Sequence, residues 1–77
     1  MKRISLAHMR QRQKGIVIEI QGGGSLQRRL MSMGIYPGRE ITKLSHFILR
    51  GPAAIKVGRT VLALGYGMSN KIILEIE

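Results

Sequence analysis

Apolar residues fall into short runs whose period switches from two to about four and back to two, which is the pattern of strands interrupted by one helix. Gly15-Ile16-Val17-Ile18-Glu19-Ile20 reads as a strand, with Ile16, Ile18 and Ile20 on one face and Val17 and Glu19 on the other. Gly22-Gly23-Gly24 ends it, and Ser25 stands where it can cap a helix. Leu26, Leu30 and Met33 then recur at i, i+4 and i+7 as one apolar stripe, leaving Gln27, Arg28, Arg29 and Ser32 mostly exposed. Gly34 suits the left-handed position after a helix, with Ile35 next to it reaching back to Leu30 in a Schellman arrangement. Pro37-Gly38 is the central pair expected of a type II turn.

The second half returns to the strand period. A strand over 39–47 has Ile41 and Leu44 out of phase, so a bend or bulge is expected in it. A loop follows over 48–51. Ala53, Ile55 and Val57 alternate, and Gly58-Arg59 is short enough for a tight hairpin into a strand over 60–64. Residues 65–70 allow at most one irregular helical turn, and Ile72, Leu74 and Ile76 alternate in a closing strand. Ahead of all this, residues 1–13 are polar and basic, anchored by Ile4, Leu6 and Met9, with Ser5 placed to cap a short turn.

Five short strands and one helix hide their edges by curling. The expected fold is therefore mostly β: a small SH3-like or OB-like, partly open barrel of about five strands, with one short α-helix after the first. A chain of 77 residues makes one domain, 1–77. Such a chain buries about 60% of its unfolded surface, so the core has to be economical. Its core residues are aliphatic, since the sequence holds one Phe and no Trp.

Charge changes the picture most. Thirteen Lys and Arg face four Glu, a net charge of +9 that favours polyanions or an acidic protein face. Arg10, Arg12 and Lys14 arrive before any apolar run of seven, so neither a signal peptide nor direct membrane insertion is expected, and the cytoplasm is the default location. Without cysteine there is no disulfide and no thiolate metal site.

Catalytic constellations are missing, and the chain does not read as an enzyme. Glu75 and Glu77 form the one close carboxylate pair, and alternation at the C-terminus makes them a solvated strand face. The glycine run before the helix could present N–H groups to an anion, but no lysine follows it as in a phosphate loop, so it reads as a turn. No cofactor is implied. For metal the weak candidates are His8 and His46, with Glu19 and Glu40; Glu40 and His46 stand about 20 Å apart along one strand, too far to share an ion. The basic residues are spread over Arg10, Arg12 and Lys14, Arg28 and Arg29, Lys43, Arg50, Lys56 and Arg59, with Tyr36, Phe47 and Tyr66 the sole aromatics. Nucleic-acid modules interleave such surfaces with stacking aromatics, so charge alone speaks for nucleic acid here.

Arg29-Leu30-Met31-Ser32-Met33-Gly34-Ile35-Tyr36-Pro37-Gly38 resembles the signature of the FeoA family, and Gly15 to Ile20 with Gly22-Gly23 is similar to that family's opening strand and glycine turn. Leu62-Ala63-Leu64 and Lys71-Ile72 also fall where the family places them, so the resemblance runs from about Leu6 to the end. Two departures stand out. Gln11-Arg12 replaces a frequent Pro-Gly, and Ile48-Leu49-Arg50-Gly51-Pro52 replaces a Pro-Leu-Gly-Asp-Pro loop. The resemblance implies an SH3-like barrel that binds or regulates FeoB, the membrane ferrous iron transporter with a cytosolic GTPase part. Partner-binding candidates are Arg28, Arg29, Tyr36, Leu49, Arg50 and Tyr66. A homodimer stays open, as does an RNA- or ribosome-associated module, because Gly15 to Ile20 after basic residues also loosely resembles KOW-type strands.

Overall fold

The computed structural model describes residues 1–46 and 51–77. Its elements are β1 (Lys2–Ser5), a 3₁₀ turn (Leu6–His8), β2 (Lys14–Ile20), α1 (Gly24–Ser32), β3 (Glu40–Lys43), β4 (Ala53–Val57), β5 (Thr60–Leu64), α2 (Tyr66–Ser69) and β6 (Ile72–Ile76). The strands form one open antiparallel sheet of six in the order β1-β6-β2-β3-β4-β5. Leu6, Leu30, Ile35, Ile41, Ile55, Ile72 and Leu74 are fully buried and centre the core.

There is one strand more than the sequence pattern suggests. β1 carries Lys2 and Arg3 exposed and has no alternation of its own. It is a strand because β6 lies beside it, pairing Lys2 with Ile76 through Ser5 with Ile73. Tertiary pairing overrides weak local preference here. Ser5 does stand at the head of the 3₁₀ turn, but its hydroxyl meets the His8 ring instead of a backbone N–H.

β2 corrects the expected faces. Its register against β6 shifts between Val17 and Glu19, and this bulge breaks the alternation. Val17 and Ile20 are therefore both buried while Ile16 is 40% exposed, whereas a regular strand would put Ile16 and Ile20 on one face. Bulging also explains β3, which stops at Lys43 short of the expected 47; beyond it the N–H groups of Leu44 and Ser45 share the Ala54 carbonyl. Phe47 and residues 48–50 lie outside the described residues.

Helix α1 is capped two residues earlier than expected. Gly23 is the N-cap, without a side-chain bond, and Ser25 lies inside the helix. The stripe is as read: Leu30 is fully buried, and Leu26 and Met33 pack against the core. At the exit, Gly34 has φ +88°. The Gly34 N–H donates to the Met31 carbonyl and the Ile35 N–H to the Leu30 carbonyl, both at 2.9 Å, which is the paired bonding of a Schellman motif. Gly38, at φ +96°, closes the next turn, where the Arg39 N–H donates to the Tyr36 carbonyl at 3.0 Å. That turn is tied to β2: Gly38 donates to the Val17 carbonyl and Val17 to the Arg39 carbonyl, at 2.7 and 2.9 Å.

Two basic residues are not where charge alone would put them. Lys43 follows Ile41 on the inner face of β3 and is fully buried. Its Nζ donates to the carbonyls of Ala7 and Met9, at 3.0 and 2.9 Å, and so holds the 3₁₀ turn against the sheet. Burial lowers its pKa, since the charged form is desolvated. Arg12 is the one described non-glycine residue with positive φ, at +69°. It is the third residue of a turn closed by the Gln13 N–H on the Arg10 carbonyl, a position that favours glycine in a type II turn.

Leu30→Ala should cost about 2–5 kcal/mol, because it empties a fully buried site between helix and sheet; Gly34→Val should also be clearly destabilising, a β-branched side chain being a poor fit at positive φ. Denaturant midpoints check both. Lys43→Met keeps the length but strips donors from two carbonyls and should cost roughly 1–3 kcal/mol. The unfolded chain holds the Lys43 proton up to its ordinary pKa of 10.5 while the folded chain releases it earlier. The native protein should therefore gain stability relative to Lys43→Met as pH climbs through the alkaline window below that value, which urea titrations at several pH values would read. Arg12→Gly should stabilise by about 0.5–1 kcal/mol, relieving the left-handed strain at some entropic cost, and appear as a higher melting temperature.

Candidate functional site

Four of the six partner-binding candidates lie in three described segments. Arg28 and Arg29 are exposed on the outer side of α1. Tyr36 is half-buried in the turn after the helix, and Tyr66 is half-buried at the start of α2. Leu49 and Arg50 fall outside the described residues. Next to Arg28, Met31 is 59% exposed, so the outer side of α1 offers apolar area beside its two cations.

Tyr36 is not a free aromatic. Arg39 donates from Nη1 to its hydroxyl at 3.1 Å, and the guanidinium carbon sits 5.8 Å from the ring centre, within cation–π range. Arg39 also lies over Gly58 closely enough that a Cβ there would collide with it. The turn at Pro37-Gly38 and the β4–β5 hairpin thus fix a cation between them.

Strand register adds a second group that the sequence reading did not gather. Lys14 pairs with Thr42, and Thr42 pairs with Lys56. Partners in antiparallel strands share a face, so two ammonium groups flank one hydroxyl on the outer side of the sheet. With Tyr36, Arg39 and Leu44 they line an open concavity of about 650 Å³. Glu40 is its one carboxylate against three cations, and among the described residues neither lysine meets a carboxylate within ion-pair distance. The signal was present in the period: Lys56 stands between Ile55 and Val57, which places it opposite the core.

Among the described residues, no group of three or more His, Asp or Glu is arranged to hold an ion. His8 Nδ1 lies 2.7 Å from the Ser5 hydroxyl, and His46 Nε2 accepts from the Gln11 N–H at 3.3 Å. Both rings are thereby engaged with the segment around the 3₁₀ turn. Among the described residues, no helix is long and apolar enough to cross a membrane.

Comparison with known structures places this arrangement. An iron uptake regulatory protein, FeoA, solved by crystallography, is 33% identical with a TM-score of 0.86, the match covering 97% of each chain. A FeoA-like protein from Clostridium acetobutylicum is 28% identical with a TM-score of 0.85, covering 99% of this chain and 88% of the other. The fold also matches FeoA from Stenotrophomonas maltophilia, a prokaryotic SH3 domain protein solved with zinc, at 20% identity and a TM-score of 0.80, over 94% of this chain and 89% of the other. Comparison with curated proteins by sequence gives no match. The family model described as the FeoA domain matches residues 4–76, nearly the whole chain, and the protein therefore belongs to the FeoA family, with that family's SH3-like fold.

Proposed function

We propose that this chain is a cytoplasmic accessory protein of ferrous iron uptake that binds the cytosolic side of a FeoB-type transporter and catalyses no reaction itself. The observation that carries the reading is the FeoA domain match over residues 4–76, supported by the likeness to an iron uptake regulatory protein. Iron in this reading is cargo of the transporter.

The binding surface follows from charge and exposure. A net charge of +9 exceeds what solubility asks of a small domain. Arg28 and Arg29 point away from the apolar stripe of α1, with exposed Met31 beside them. Such charges speed association and make it salt-sensitive, while specificity needs apolar and aromatic contact. Tyr36, held by Arg39, and half-buried Tyr66 supply candidates for that, with Leu49 and Arg50 as further candidates outside the described residues.

Reversing Arg28 and Arg29 to Glu should weaken binding to the isolated transporter by about tenfold or more, with the fold intact by circular dichroism. Calorimetric titration at physiological salt, against the transporter and separately against RNA, checks this. Unchanged affinity of the double variant removes α1 from the interface. Tight RNA binding without transporter binding contradicts the reading.

A further inference from the structure

The two edges of the sheet are guarded unequally. β1 exposes Lys2 and Arg3, the charged residues that commonly keep an edge from pairing with another chain. β5, Thr60-Val61-Leu62-Ala63-Leu64, has no charge and no proline, and its Val61 is 60% exposed. β5 pairs with β4 alone.

The hairpin decides which backbone groups face outward. Gly58-Arg59 is a two-residue loop with positive φ at its first residue, so Val57 and Thr60 close the ladder as a hydrogen-bonded pair. Alternation makes Ile55 with Leu62 and Ala53 with Leu64 the next bonded pairs. Val61 and Ala63 therefore turn their N–H and C=O groups away from β4. Ala54, opposite Ala63, fits the same phase, because its carbonyl accepts from Leu44 and Ser45 on the β3 side. Among the described residues, no backbone hydrogen bond outside the β4 ladder involves residues 60–64.

Charge says what kind of chain fits there. Val61 is the next member of the row Lys14–Thr42–Lys56 on the outer face, and exposed Arg59 stands at the hairpin. A strand laid beside β5 would extend that row. Its residue opposite Val61 would lie two strand spacings from Lys56, about 9.5 Å, a span that a glutamate and a lysine side chain close. A second copy of this chain brings another +9 and a like-charged row to the same edge, which opposes pairing.

We infer that β5 is a docking edge for an extended acidic protein segment, which adds a strand through the backbone groups of Val61 and Ala63 and sets carboxylates toward Lys56. The inference is independent of the transporter reading and can hold where that reading fails. Strand addition of this kind takes affinity from main-chain bonds and specificity from alternate side chains.

The test is an NMR titration of the 77-residue protein with a short Val/Glu-alternating peptide, and with the same peptide carrying Lys for Glu. The acidic peptide should shift the Val61 and Ala63 amides and slow their hydrogen exchange, and the basic one should not. Lys56→Glu should weaken binding by about five- to tenfold. Ala63→Pro removes one outward N–H and leaves the β4 ladder untouched, so it should abolish binding in a protein whose spectrum remains dispersed. Unchanged exchange at Val61 and Ala63, equal binding of both peptides, or full binding by Ala63→Pro overturns the proposal. Self-association through β5 at micromolar concentration, or an RNA oligonucleotide giving the same shifts in place of the peptide, overturns it equally.

Discussion

The chain has seven residues, Met33 to Arg39, in which to leave α1 and enter β3 beside β2, and the rest of the architecture depends on that exit. Two left-handed glycines make it possible, Gly34 at φ +88° and Gly38 at φ +96°. Between them Ile35 is driven fully into the core under Leu30, while Tyr36 and Arg39 are left near the surface on either side of the second turn. The backbone bonds from Gly38 to Val17 and from Val17 to Arg39 lock the turn to β2 at the strand's bulge. One local motif thus docks the helix, sets where β3 starts, and fixes a cation over the β4–β5 hairpin.

Positive charge is distributed by the same geometry into different tasks. Lys43 faces inward and becomes a structural donor to the 3₁₀ turn, at the cost of desolvating its ammonium. Lys14 and Lys56 face outward across Thr42. Arg28 and Arg29 occupy a separate helical face. A partner could therefore engage this small body from more than one side, and a count of basic residues does not distinguish those sides.

Legibility in the sequence followed how local each determinant is. The helix stripe, its glycine exit, the Pro-Gly turn, the Gly58-Arg59 hairpin and the alternating last strand all rest on contacts within a few residues, and all were readable. β1 was not, because its two exposed basic residues become strand through pairing with a segment some seventy positions away. Ile16 and Ile20 fall on different faces of β2 because a bulge leaves no mark on the alternation of Ile16, Ile18 and Ile20. Lys43 was read as surface from its charge, although its two-residue spacing from Ile41 put it on the core side. The substitution of Gln11-Arg12 for a Pro-Gly pair was visible as a departure, and the structure gives its physical content in a strained, positive φ at Arg12. At the candidate site Arg28 and Arg29 were legible from helical period, whereas the Lys14–Thr42–Lys56 row needed strand register.

The central functional claim is that a FeoA-family barrel presents the outer side of α1 and the turn after it to an iron transporter. The most direct measurement is amide shift mapping of the ¹⁵N-labelled protein as the isolated cytosolic part of a FeoB-type transporter is added at physiological salt. The account predicts shifts and line broadening concentrated at Arg28, Arg29, Met31 and Tyr36, with the buried amides of β6 unmoved. A spectrum that does not change on adding the transporter, or changes confined to the opposite end of the sheet around β1, would contradict it.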